Sequence, residues 1–326
     1  MRIPLVIFLL ALFTIPAFAM GAVPPVTTEE TIVPSLVFVR EYGFPGNGDG
    51  QLYQPQDVYV SVMGDISTGL GNLFVCDTGN NRIERFDDDG SFSYQFGRFG
   101  TDRGRFNSPV GIAVDFNYYV YVVDQENSRV QKLDVRGNPV AAWGSYGNGS
   151  GQFINPRGIA LDTFGNIYVA DTGNDRIQKL DSSGFPLKSF GGFGRGMGFF
   201  DGPQDVAVDR DKNIYVADTN NNMVQKLDEM GRPLLSFGST GDQDGQFMKP
   251  CGIAVDDRFV YVSDTGNNRI QIFSRQGKFL ATYGKKGVAP GDLNNPVGIS
   301  AGRTGELYVA DTGNHRIQKF KVVISR

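Results

Sequence analysis

The segment Val75-Cys-Asp-Thr-Gly-Asn-Asn-Arg-Ile83 recurs along the chain, its aspartate falling at 77, 124, 171, 218, 264 and 311, so the spacings are 47, 47, 47, 46 and 47 residues. Units this short cannot bury an apolar face alone, so they must stack on one another. Around each aspartate lie four candidate strands, plainest over residues 110–144: Val-Gly-Ile-Ala-Val-Asp, Tyr-Val-Tyr-Val-Val-Asp, Arg-Val-Gln-Lys-Leu-Asp and Pro-Val-Ala-Ala-Trp-Gly. Four short strands in about 45 residues is the layout of a propeller blade rather than of the helical repeats of similar period. The predicted fold class is therefore all-β, a six-bladed β-propeller of four-stranded antiparallel blades. First strands such as Gly158-Ile-Ala-Leu and Gly252-Ile-Ala-Val carry small and β-branched residues suited to the crowded axis, and later strands carry Phe and Leu.

The end of each fourth strand is marked by an aromatic-Gly pair: Phe96-Gly97, Trp143-Gly144, Phe190-Gly191, Phe237-Gly238 and Tyr283-Gly284. The sixth copy is Tyr42-Gly43, preceded by the strand-like run Leu36-Val-Phe-Val-Arg-Glu. Residues 36–42 are thus predicted to complete the last blade, an N-terminal strand closing the ring and leaving no unpaired edge in that sheet. The expected organisation is a signal peptide at 1–19, a flexible linker at 20–34 and the propeller at 35–326. Blade 1 carries about seven extra residues in Val62 to Asn72, expected to form a surface loop on one face.

Residues 1–19 run from Met1-Arg2 through an apolar stretch to Ala17-Phe18-Ala19, the layout of a secretory signal cleaved after Ala19. The stretch is shorter than the roughly 20 residues that cross a bilayer. Localisation is accordingly expected to be periplasmic or extracellular, with no membrane insertion after cleavage. Loss of Arg2 leaves 30 basic against 35 acidic side chains, a balance that argues against nucleic acid as a partner. The two cysteines, Cys76 and Cys251, fall in blades 1 and 5, which are not neighbours, and are expected as free thiols.

The residues Asp-Thr-Gly-Asn-Asn-Arg-Ile and Pro-x-Gly-Ile-Ala-Val-Asp closely resemble the NHL repeat, and the resemblance covers nearly all of residues 36–326. It implies the six-bladed propeller. It implies no single activity: the wider group includes protein-interaction platforms, receptor or sensor ectodomains, RNA-binding domains and a zinc-dependent lyase acting on hydroxyglycine-extended peptides, and one scaffold hosts many functions. The histidines such a lyase needs are missing, because His315 is the only one in the chain.

Residues shared by the blades read as architecture. Asp77, Asp124, Asp171, Asp218, Asp264 and Asp311 are expected to cap the turn between second and third strands, with Arg82, Arg129, Arg176, Arg269 and Arg316 tying neighbouring backbone or carboxylates. Met223 replaces the arginine in blade 4, so that tie is expected to be absent there. His315 takes the turn position held by Asn81, Ser128, Asp175, Asn222 and Asn268. No Gly-x-Ser-x-Gly elbow is present, and the glycine-rich run at 191–196 joins strand to strand instead of opening a helix. Asp87-Asp88-Asp89-Gly90 and Asp242-Gln-Asp-Gly245 lack the ligand spacing of a calcium loop and are read as turns.

Positions at which the repeats disagree are the candidates for function. After the proline opening each inner strand, blades 1 and 4 carry Gln56-Asp57 and Gln204-Asp205 where the others carry a residue followed by Gly. In a six-membered ring these blades are opposite, so Asp57 and Asp205 are expected to face across the channel mouth with Arg157 nearby, as a cation or polar-ligand site or as backbone ties. The interblade linkers hold Phe99, Arg103, Tyr146, Phe193, Arg195, Phe199 and Phe200, and the stretch with Phe193, Arg195, Phe199 and Phe200 is the candidate partner-binding patch, since Arg and aromatics are enriched at interfaces.

The functional expectation is a non-catalytic binding scaffold for an extracytoplasmic protein or a cell-envelope component, with no catalytic residue, metal or cofactor. The alternatives are a channel-site enzyme of metal-assisted lactonase or lyase type, with a divalent cation at Asp57 and Asp205, and a structural part of a surface assembly.

Overall fold

A computed structural model describes residues 33–61 and 72–325. The expected signal peptide, nearly all of the expected linker and the blade 1 insertion up to residue 71 lie outside them. Six four-stranded antiparallel sheets form the six blades. Blade 3 is representative, with strands Pro156–Leu161, Ile167–Asp171, Arg176–Leu180 and Pro186–Gly191 counted from the axis outward.

The last blade is built from both ends of the described chain: Pro296–Ala301, Glu306–Asp311, Arg316–Ser325 and then Val33–Tyr42. The closing strand is longer than expected, because Val33 and Pro34 pair with Ser325 and Ile324 beyond the usual blade edge. Leu36 and Tyr42 point inward and are buried, while Val37 and Val39 alternate outward. Among the polar ties that fasten this blade to blade 1, three converge on Asp88: Tyr42 Oη donates to its carbonyl, Tyr308 Oη donates to its Oδ1, and Lys319 Nζ pairs with the same carboxylate. Asp88 thus sits in a turn, as expected, and also carries the ring closure.

The core lies between blades, in six apolar clusters drawn from the facing sheets. Each aromatic-Gly pair has a steric reason. A Cβ on Gly97 would sit 2.4 Å from the ring of Phe106, and Gly191 meets Phe200 in the same way. Both glycines also have positive φ, +89° and +97°, which only glycine adopts freely. Phe106, Phe153, Phe200 and Phe247 are all fully buried against such glycines. Phe200 therefore belongs to this packing series and not to a contact patch. The departure of its linker from the repeat hid a residue that keeps the 47-residue period.

A second series came only from the structure. The aspartate just after the first strand, at 115, 162, 209 and 256, accepts a hydrogen bond from the hydroxyl of the buried second-strand tyrosine, Tyr121, Tyr168, Tyr215 and Tyr261. Blade 1 has Phe74 in the tyrosine position and so needs no acceptor. Blade 6 has Gly302 in the aspartate position, and Tyr308 turns to Asp88 instead.

Candidate functional site

The linkers between blades are held by one recurring network. Asp171 ends the second strand of blade 3, fully buried, and its Oδ1 accepts the Ile154 amide at 2.8 Å. Its Oδ2 accepts from Arg176 Nε at 2.7 Å and Gln178 Nε2 at 3.0 Å, and Asn174 Nδ2 donates to the same carboxylate. Arg176 then spreads its remaining N–H groups over the carbonyls of Asn148, Gly149 and Gln152. The aspartate was expected to cap the turn backbone. It instead bonds the turn's Asn side chain and reaches over to the linker, while the turn closes on its own through a left-handed residue, Asp175 here with φ +53°.

The aspartate–arginine pair recurs at Asp77 and Arg82, Asp124 and Arg129, Asp264 and Arg269, and Asp311 and Arg316. Arg316 also pairs with Glu41 on the closing strand at 2.7 Å. Asp218 in blade 4 accepts from the Asp201 amide, Asn221 and Gln225, with Met223 in place of arginine. Burial holds the Asp218 carboxyl above its ordinary range, its hydrogen bonds with Asp201, Asn221 and Gln225 acting against that. Met223→Arg is expected to raise stability by about 1 kcal/mol by restoring a charged donor fork, read as a higher urea midpoint at unchanged m; a lower midpoint would show that the linker cannot receive the guanidinium.

His315 serves the same scaffold. Its Nδ1 accepts the Gln54 amide at 2.9 Å and its ring stacks on Tyr53, as Asn81, Asp175, Asn222 and Asn268 accept amides of the next blade in their turn. Cys76 and Cys251 are both buried and free.

At the axis, Gln56, Asp57, Arg157, Gln204 and Asp205 all line one narrow mouth of about 20 Å³, together with Val110 and Cys251. That is room for about one water. Below it the channel widens to about 200 Å³, walled by the first strands and again touching Asp57 and Asp205. Each carboxylate bridges two blades. Asp57 accepts the Val58 amide at 2.8 Å and the Ile112 amide of blade 2 at 2.9 Å. Asp205 accepts Val206 at 2.8 Å and Ile253 of blade 5 at 2.9 Å. The preceding blade must then carry glycine: a Cβ on Gly298 would lie 2.2 Å from Asp57 Oδ1, and one on Gly158 2.1 Å from Asp205 Oδ1. Burial lifts both carboxyls above the usual range, and the charge of Asp205 adds to the lift on Asp57. Arg157 forms no ion pair among the described residues. Nor do any three His, Cys, Asp or Glu side chains among the described residues come together to hold a metal ion.

On the rim, Phe193 is 75% exposed and Phe199 is 52% exposed, with Arg195 also in solvent. Two more rings occupy the Phe193 position in the preceding linkers, Phe99 at 66% and Tyr146 at 74% exposure. All three precede by seven residues the buried phenylalanine they bridge to, at 106, 153 and 200. The next two linkers carry Thr240 and Lys286 there. Three successive linkers therefore present a regular row of aromatic rings, and the sixth linker carries Pro45 at the equivalent place.

Four segments, residues 153–180, 200–227, 247–273 and 293–320, match the family description NHL repeat. The chain is 37% identical to RING finger protein nhl-1 of Caenorhabditis elegans over 72 residues, which is 22% of this chain and 7% of that protein. Among solved structures it is similar to a gluconolactonase from Xanthomonas campestris, at 15% identity and a TM-score of 0.64, covering 90% of this chain and 91% of that one. It is also similar to virginiamycin B lyase from Staphylococcus aureus, at 14% identity and a TM-score of 0.56, covering 90% and 100%. At such identities the likeness carries the fold alone. The four matching segments show that this chain carries NHL repeats, and its six four-stranded sheets form a six-bladed β-propeller.

Proposed function

We propose that the protein is a non-catalytic binding scaffold that presents its linker face to an extracytoplasmic protein, the aromatic row Phe99, Tyr146 and Phe193 supplying the contact. The observation that carries this reading is the exposure of three large rings at equivalent positions on three successive linkers. Aromatic side chains are enriched at protein interfaces and dominate binding energy where they become buried. The hub network favours it further, because linkers pinned at several carbonyls lose little entropy on binding. Placement outside the cytoplasm rests on the signal-like residues 1–19.

A second reading, a lactonase- or lyase-type enzyme, has the raised carboxyls of Asp57 and Asp205 in its favour. Both carboxylates already hold two amides each across blade boundaries, which gives them a structural task, and the mouth admits little more than water. The test is affinity capture from the extracytoplasmic fraction with the ring and with a Phe99→Ala, Tyr146→Ala, Phe193→Ala variant. A stoichiometric protein partner whose affinity falls at least about 100-fold with the variant is the expected result. Undiminished binding by the variant would overturn the assignment of the face. Cell-envelope glycan in place of protein would change the partner class, and lactone or lyase turnover lost on Asp57→Asn would favour the second reading.

A further inference from the structure

Five blades place a glutamine two residues after the hub arginine position, and its amide is used completely. Gln131 Oε1 accepts the Gly104 amide, and its Nε2 donates both to the Arg105 carbonyl and to Asp124 Oδ2. Gln178, Gln225, Gln271 and Gln318 repeat this pattern. Blade 1 alone has a glutamate there, Glu84, and it is fully buried.

An ionised carboxylate cannot replace that amide, since it accepts hydrogen bonds and donates none. The amide NH₂ of the other blades faces a linker carbonyl and the hub aspartate, which in blade 1 correspond to Gln51 and Asp77, both acceptors. Arg82 Nη2 lies 2.7 Å from Glu84 Oε1, but it already donates to the carbonyls of Gly48 and Gln51. No donor meets either Glu84 oxygen in full hydrogen-bond geometry, although the Gly50 amide, the counterpart of Gly104 in blade 2, acts on the carboxyl from the acceptor side. A protonated carboxyl resolves the conflict, because one oxygen still accepts while the O–H donates where Nε2 does elsewhere.

We infer that folded Glu84 is carried as the neutral acid, a stand-in for glutamine, and that its ionisation loosens linker 43–55, through which the closing strand enters blade 1. The charged groups around it agree. Burial pushes the Glu84 carboxyl up to about 8; Arg82 opposes this, Asp77 and Asp49 reinforce it, and the Gly50 amide opposes it. Asp77 beside it is itself raised by burial. A folded-state value above the unfolded one means that the folded state holds the extra proton. The stability it brings is present below the ordinary glutamate range and is lost as pH rises through about 8. The closing linker is thereby tightest in mildly acid surroundings.

The experiment compares the full chain with Glu84→Gln from pH 5 to pH 9. The expected result is a Tm advantage for the variant of about 5 °C at pH 9 that shrinks to about 1 °C at pH 5. Asp57, Asp205 and the other titrating groups are common to both proteins and cancel in the difference. A gap independent of pH, or a wild type as stable as the variant at pH 9, would overturn the inference. An infrared difference spectrum at pH 7 gives a direct reading: the wild type should show a protonated carboxyl band that Glu84→Gln lacks, and its absence would also defeat the proposal.

Discussion

Asp171→Ala is expected to cost about 3–5 kcal/mol of folding stability, because it strands a guanidinium that is nearly buried. The wild-type carboxylate takes four kinds of donor: the Ile154 amide, Asn174, Arg176 and Gln178. Removing it leaves Arg176 charged and largely out of water, with only carbonyls for company. The matched change in blade 4, Asp218→Ala, deletes the same side chain without stranding a cation, since Met223 stands where the arginine would be. Its cost is expected nearer 1–3 kcal/mol, the loss of satisfaction for neutral donors. Urea unfolding of the two variants measures the difference. Equal costs would show that the arginine fork, and not its pairing with aspartate, holds the linkers.

A chain beginning at Gly43 is expected to lose more than about 5 kcal/mol and with it a cooperative unfolding transition. The closing strand buries Leu36 and Tyr42, carries Glu41 to Arg316, and covers the edge of Arg316–Ser325 along nine paired positions. Without it that edge is an open template for another chain. Size-exclusion chromatography should find self-association, and adding a peptide of residues 33–42 should reverse it. A truncated ring that stays monomeric and melts like the intact chain would mean that blade 6 is stable with three strands.

Most of the ring was legible because its constraints are local and repeat six times. The 47-residue period gave the blades, and the odd placement of Tyr42-Gly43 gave the closure. What the repeat could not supply were contacts made between units. The pairing of Val33 and Pro34 depends on what residues 324 and 325 do, and no pattern within 33–34 announces it. Phe200 was misplaced for the opposite reason: its neighbours depart from the repeat while it does not, and burial follows position in the blade. The partnership of Asp115 with Tyr121 and its three relatives was missed, although an aspartate and a tyrosine recurring six residues apart, or five in blade 5, was the signal that could have found it. Sequence alone placed Asp57 and Asp205 in opposite blades, but only the structure assigns each carboxylate an amide of the following blade.

The seam in the last blade also decides how the molecule bears load. Val33 lies directly opposite Ser325 at the open end of an antiparallel ladder, and Tyr42 lies opposite Ile317 at the far end. In such a ladder the hydrogen bonds run across the strands. Tension applied between residues 33 and 325 therefore meets them one pair at a time and peels the seam like a zip, whereas tension that draws residue 42 along the strand axis must shear the whole row together. The ring is mechanically soft in one direction and stiff in the other, and whatever holds the chain upstream of Val33 determines which of the two is felt.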